Sequence, residues 1–390
     1  MTPEQKRDFS STVTRLLGLF PAEDVKVGQM FDNWGTCATY SDDVMSVRDT
    51  VWGESKQNAD ITFAASEEFC ELLNRHQRYL LEISALSQCK HTCQVNLHVL
   101  ELLKPGPEKE SLKATIKSHQ AQVAEEQGNI DQAISLHLDD FATKLAEKPQ
   151  NPRYISFTAS NIAYSYSSKR NQTEALTWYE KAREFWGEMP NRPANILINE
   201  AICHTLLGQH IQARELFDTF QALLNSDPQP SWAVIAYGYF AMGGFHELQQ
   251  KRDLDAAVSH FLKAKDHFLK AREGWEKGLQ ASHHPFIGAC LYKAGAIRLN
   301  QGRVDDAIAL LYESLVVTEH HRQERPAEHA RSLHKYSQAV MHPDYHGETE
   351  RAEGMKMQMD SEEELRRIDP NAKGFDSDET YDKYVPLGHR

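Results

Sequence analysis

The sequence predicts an all-α protein made of stacked antiparallel helix hairpins, and three observations predict it. Residues 291–315, LYKAGAIRLNQGRVDDAIALLYESL, read as two amphipathic helices around a tight turn, with Ala307, Ile308, Leu311 and Leu315 on one buried face of the second. Gly302 stands where a helix end needs positive φ, and Asp305 and Asp306 follow in the first turn of the new helix, where the dipole favours acid. The same break, followed five residues later by alanine, recurs: Gly128 with Ala133, Arg170 with Ala175, Gly208 with Ala213, Arg252 with Ala257, and Gly302 with Ala307. In four of these five a second small residue lies twelve positions before the alanine, as Ala121, Ala163, Ala201 and Gly295. Two small residues so placed let two helices pack closely across a turn. A bulky residue follows four after the alanine, as Tyr179, Phe217, Phe261 and Leu311, with His137 in that place in the first hairpin.

One such hairpin cannot bury its apolar stripes alone, so the copies must stack on a shared core. The pattern resembles the tetratricopeptide repeat over roughly residues 112 to 318, and the resemblance implies a right-handed superhelical solenoid. Successive alanines are 42, 38, 44 and 50 residues apart, more than the usual ~34, so helices or loops are extended. The fourth hairpin is irregular. With Gly238 as its small residue the distance to Ala257 is nineteen, an insertion of seven, expected to add one turn to each helix. Its second helix then reads as long, from Leu254 to Leu279, and closes at His283-His284-Pro285.

Phe9, Val13, Leu16, Leu17 and Phe20 make one face of a helix over 3–20 that Pro21 ends. Phe31, Trp34, Cys37 and Ala38, then Val44, Val47 and Val51, read as a second pair of helices, and residues 52–60 as a polar linker. Phe69, Leu72, Leu73, Leu80, Ile83 and Leu86 give a further helix, with Ser66 suited to its start. Pro105-Gly106-Pro107 is the clearest loop. The expected organisation is a helical amino-terminal region of degenerate repeats at 1–104, regular repeats at 105–322, capping helices with one wet face at 323–368, and an acidic tail at 369–390. That tail lacks helical periodicity and is expected to be mobile, with Tyr381, Tyr384 and Val385 as the residues able to dock back.

Phe31, Asn33 and Trp34, then Phe69, Glu71, Leu72, Leu73, Tyr79 and Leu80, together with the forty-residue repeats and the Tyr384-Val385-Pro386 tail, resemble the tetratricopeptide region of fungal NB-ARC proteins, nucleotide-switched receptors. Such receptors need a G-x-x-x-x-G-K-[S/T] phosphate cradle, and the sequence has none. The resemblance therefore implies a sensor arm without the switch.

Composition narrows the function. A net charge of −13 and a pI near 5.8 argue against a nucleic-acid partner, whose phosphates demand a basic face. No run of eighteen apolar residues offers a membrane span, and the amino terminus lacks an apolar signal core. Six scattered cysteines form no disulfide framework, so the expected compartment is the cytoplasm or the nucleus, with the cytoplasm preferred. Nineteen histidines raise the question of metal. His283-His284 and His320-His321 are adjacent pairs that cannot share a site from one helix, Pro343 breaks the His342 to His346 spacing, and His260 and His267 read as solvated. No metal site and no cofactor is expected, and no catalytic motif appears.

In tetratricopeptide repeats the concave face is lined by the first helix, at residues six, three and two before the small residue and one after it. Applied here, the rule selects Phe157, Asn161 and Tyr164, then Asn195 and Asn199, then Trp232 and Tyr239, then Tyr292 and Lys293. Aromatics alternate with amides, a surface suited to an extended peptide or protein segment, or to a small aromatic molecule. The expected function is non-enzymatic recognition in this groove. An enzyme of specialised metabolism using the groove as its active site is the alternative.

Overall fold

The computed structural model describes the chain except for residues 24–28, 188, 190–193, 227–230, 271–282 and 348–350. Among the described residues the regular structure is helical, with no strand, and the chain divides into two compact units. The first, built from Met1–Glu125 and Asn129–Pro193, holds α1 (Pro3–Leu19), α2 (Trp34–Lys56), α3 (Glu67–Glu82), α4 (Leu86–Leu100), α5 (Pro107–Glu126), α6 (Ile130–Ala146), α7 (Pro152–Ser168) and α8 (Gln172–Trp186). The second, from Ala194 onward, holds α9 (Ala194–Leu206), α10 (His210–Ser226), α11 (Trp232–Leu248), α12 (Leu254–Lys270), α13 (Pro285–Asn300), α14 (Val304–His320), α15 (Pro326–Val340), α16 (Arg351–Ile368) and α17 (Asp378–Asp382). Consecutive helices pack as the expected antiparallel hairpins, α7 on α8, α9 on α10, α11 on α12, α13 on α14 and α15 on α16.

In the first unit α1 starts with a capping box, the Thr2 amide donating to Gln5 Oε1 at 2.7 Å and the Gln5 amide to Thr2 Oγ1 at 3.2 Å. Residues 34–51, read from sequence as parts of two helices, and 52–56, read as the start of a linker, form α2 alone. The reason is a single stripe of Trp34, Cys37, Ser41, Val44, Arg48 and Val51, all buried, in which the polar members are satisfied. Ser41 Oγ lies 2.9 Å from His76 Nε2, and Arg48 donates to Thr92 Oγ1 at 2.9 Å. Ser66 caps α3 as expected, accepting from the Phe69 amide at 3.1 Å. The apolar residues that carry the receptor resemblance, Phe31, Trp34, Phe69, Leu72, Leu73, Tyr79 and Leu80, are core residues.

This unit buries unusual polarity. Glu82 on α3 accepts from the Trp34 indole at 2.7 Å, from the Met30 amide at 2.9 Å and from Arg78 Nε at 2.7 Å. Gln77 Oε1 lies 2.9 Å from His119 Nδ1, and Asp140 Oδ2 accepts from Lys144 at 2.8 Å and Thr158 at 2.9 Å. His137 holds the place that other hairpins give to an aromatic or leucine. It is fully buried, and neither ring nitrogen has a protein partner among the described residues. Burial, with Arg48 beside His76, Arg78 beside His119 and Lys144 beside His137, pushes all three imidazoles down to about 3.

The turns repeat as the sequence indicates. Gly128, Arg170, Gly208 and Gly302, four of the five break residues, have φ between 65° and 79°. Close approach follows the small residues: a Cβ on Gly295 would lie 2.7 Å from Leu311 Cγ. The fourth hairpin corrects the sequence reading. Helix α11 has 17 residues, as α7 and α10 do, so no turn has been added to it. The connection from Leu248 to Leu254 is instead two residues longer than those from Leu206 to His210 and Asn300 to Val304. The small residue facing α12 is therefore Gly243, whose Cβ would meet the Phe261 ring at 2.8 Å, while Gly238 faces Phe220 of α10. The extension of the second helix past Lys270 lies outside the described residues.

Gly238→Ala tests this packing. Its Cβ would stand 2.2 Å from Phe220 Cζ, and Phe220 is fully buried, so the ring must move in a filled core. A loss of about 1–3 kcal/mol is expected in denaturant unfolding. An unchanged midpoint would mean that α10 and α11 have room to separate.

Two further expectations need correction. The wet face expected of the capping pair belongs to α16, where only Gly354, Ser361, Glu364 and Leu365 are buried, and not to α15, where every residue from Ala327 to Ser337 is buried. Nor is the carboxy-terminal tail loose. Ser377 caps α17, accepting from the Glu379 amide at 3.3 Å, and Tyr381, Val385 and Leu387 are buried, with Tyr381 in one cluster with Ala330 and Leu365.

Candidate functional site

On α7 the residues selected from sequence form one stripe. Phe157, Asn161 and Tyr164 are spaced i, i+4, i+7 and are half-buried on a helix whose intervening residues are buried. Phe157 meets the Trp186 ring edge-on at 5.9 Å. The Asn161 side chain has no hydrogen-bond partner among the described residues. In the second unit α9 repeats the arrangement with Asn195, Asn199 and Ile202, again half-buried at i, i+4, i+7. Asn195 Oδ1 accepts locally from the Ile196 amide at 3.0 Å, whereas the Asn199 side chain has no hydrogen-bond partner among the described residues.

The α11 residues do not join this stripe. Trp232 packs edge-on against Phe268 of α12 at 5.1 Å, and Tyr239 stacks with His260 and His267 of α12 at 5.7 and 5.2 Å. Both face their own hairpin partner, because the small residue is Gly243 and not Gly238. His260 and His267, read as solvated, belong to that stack, and burial pushes His260 down to about 4. Counting back six from Gly243 gives Tyr237 as the counterpart of Phe157 and Asn195, and its ring lies 4.6 Å from that of Phe286 on α13. The two-residue lengthening of the turn hid it.

On α13, Tyr292 is buried beneath the Arg331 guanidinium, 4.0 Å from its ring centroid, and Lys293 pairs with Glu247 of α11 at 2.7 Å. Arg331 leads to what sequence reading missed. Ser337 on α15 is buried and donates to Gln358 of α16 at 3.0 Å, so it holds the small-residue place of a sixth hairpin. The lining rule then selects Arg331, His334, Lys335 and Gln338. These positions hold the tail. Arg331 donates to Asp382 Oδ1 at 3.0 Å and to the His389 carbonyl at 2.8 Å. Lys335 pairs with Asp378, whose other oxygen lies 3.5 Å from His334 Nε2, and the Tyr381 ring stacks on His334 at 4.2 Å. Residues 387–389 turn against α13, where the His389 ring lies 6.3 Å from Phe286.

The electrostatics fit an anionic segment on a cationic face. Burial works to raise the Asp378 carboxyl, but the His334 hydrogen bond and the Lys335 ammonium outweigh it and hold it at about 2. Burial likewise opposes ionisation of Glu328, yet His389, at 3.1 Å, and Arg325 keep it well below the carboxylate range. The described residues hold no cluster of histidine, cysteine and carboxylate that fits a metal ion, and no helix long and apolar enough to cross a membrane.

No family model matches the sequence, and no curated protein matches it. Its fold is that of solved tetratricopeptide-like helical repeat solenoids. It is similar to a Rap protein complexed with competence and sporulation factor, with a TM-score of 0.57 and 12% identity over 97% of this chain and 95% of that one. It is similar also to NprR in complex with its cognate peptide NprX, with a TM-score of 0.50 and 13% identity over 97% of each chain.

Proposed function

We propose that the chain is a non-enzymatic recognition module whose first-helix faces hold a segment of a peptide or protein. The observation that carries this reading is the tail. The lining positions of α15 grip a stretch of polypeptide by side chain and backbone carbonyl alike. The solved NprR structure contains a cognate peptide, which supports the same use of the fold here. The comparisons lend no support to the enzymatic alternative. We infer a cytoplasmic setting from the six buried cysteines, none of them in a disulfide, and a receptor sensor arm from the sequence resemblance.

Asn161 on α7 and, separately, Asn199 on α9 are each proposed to bond a peptide backbone within its own unit, since an amide both donates and accepts without reading side chains. A peptide array probed with the full chain tests this. Retained peptides are expected to bind about tenfold more weakly, ~1.4 kcal/mol, to Asn161→Ala and to Asn199→Ala, with melting curves unchanged. An amide that served a buried neighbour instead would cost about 1–3 kcal/mol of stability. If no peptide is retained by the chain, with or without its tail, the recognition reading fails.

A further inference from the structure

The face of α15 carries more charge than a permanent cap needs. Arg331, His334 and Lys335 are buried, and ion pairs in such places are often no more stable than apolar residues of the same volume. What they add is discrimination, because a segment without matching acids leaves them unpaired. The tail matches them in a fixed pattern. Asp378 meets Lys335 and His334, and Tyr381, three residues on, stacks on His334 and reaches Ser361 of α16 with its hydroxyl at 3.1 Å. Asp382 then accepts from Arg331, which also donates to the His389 carbonyl.

We propose that residues 377–390 are a built-in competitor, and that the face of α13 and α15 they cover receives from a partner an acidic segment of the pattern Asp-x-x-Tyr-Asp. This deepens the recognition reading and rests on it. The tail is tethered to α16 through residues 369–376, with Gly374 at φ +76°. A tether of that length sets an effective concentration on the order of millimolar, so a free segment of equal intrinsic affinity is outcompeted by about 10²–10⁴-fold while the tail is attached. Access for the partner therefore requires that the tail be displaced or masked.

The test keeps the chain folded. A specific protease site is inserted between Lys373 and Gly374, the full chain is purified and then cleaved, and a fluorescein-labelled peptide of residues 377–390 is titrated into intact and cleaved protein. Cleavage should let the tail leave on dilution and gel filtration with the helical circular dichroism retained. The cleaved chain should then bind the labelled peptide at least 100-fold more tightly than the intact chain, in keeping with the tether. Tyr381→Ala or Asp382→Ala in the peptide should weaken binding about tenfold. A tail that stays bound through dilution and does not exchange with excess peptide, or a cleaved chain that unfolds, would make it a permanent cap and overturn the proposal. Array peptides that bind intact and cleaved chains equally would also overturn it, while leaving the recognition reading standing.

Discussion

Lowering the pH from 7 to 5 is expected to remove about 6 kcal/mol of the stability that three buried histidines contribute to the first unit, and His137→Leu to restore about a third of that loss. His76, His119 and His137 each hold a folded pKa of about 3, against about 6.5 for a free imidazole. Between those values the unfolded chain binds protons that the folded chain refuses. The stability these groups protect is thus complete above pH 6.5 and is lost as the pH falls toward 3, at about 1.4 kcal/mol per unit for each histidine. At pH 5 that is about 2 kcal/mol each. Domains as a rule have only about 5–15 kcal/mol in total, so the loss is a large share of it. It is offset in part by Glu82, whose carboxyl is pushed up by burial, so that the folded chain takes up a proton there on acidification. Denaturant titrations at pH 7, 6 and 5 measure the slope. His137→Leu should lower it by a third, because the leucine carries no titrating group and the corresponding place in the last regular hairpin is already Leu311. A wild-type stability that stays flat down to pH 4 would mean that these rings accept protons without unfolding.

Arg331→Ala is expected to cost the second unit about 2–3 kcal/mol, and to cost almost nothing once residues 377–390 have been removed. Breaking one side of a buried ion pair costs about 3–5 kcal/mol, and the lower figure allows for Asp382, whose side chain is 30% exposed. The substitution also strips the cation from the Tyr292 ring and leaves the His389 carbonyl without its donor. For a domain of this size each kcal/mol moves the melting temperature by about 2–4 °C, so a fall of about 5–10 °C should be seen by calorimetry. Because two of Arg331's partners lie in the tail, the double variant should show a strong coupling energy. Equal costs with and without the tail would place the role of Arg331 at Tyr292 alone. Removing the tail should itself lower the melting temperature, contrary to what its acidic composition suggests.

The hairpins were legible in the sequence because their determinants are local. Small residues at Ala163, Ala201 and Gly295, left-handed breaks at Gly208 and Gly302, and capping by Ser66 each act over a few turns of helix. The register of the fourth hairpin was not legible by a fixed spacing of twelve, since two extra residues in a turn shift every position before it. Gly243 was the available signal, because it too stands before Ala257 and its neighbour Phe261. The tail was hidden for a different reason. Arg331 and Asp382 are 51 residues apart, and Lys335 and Asp378 are 43 apart, so each charge looks solvated until its partner is folded onto it. Helix α15 looked wet for that reason and is among the driest in the chain.

All six cysteines are buried and none is in a disulfide, four in the first unit (Cys37, Cys70, Cys89, Cys93) and two in the second (Cys203, Cys290). Burial pushes the Cys37 and Cys70 thiols up to about 12, and only the thiolate attacks an alkylating reagent. The folded chain should therefore be nearly inert to iodoacetamide, and each modification event marks an opening. Mass shifts in multiples of the adduct then distinguish the units in a single time course, four labels arriving together when the first opens and two when the second does. The protein carries its own clock for each half, without a probe having to be introduced.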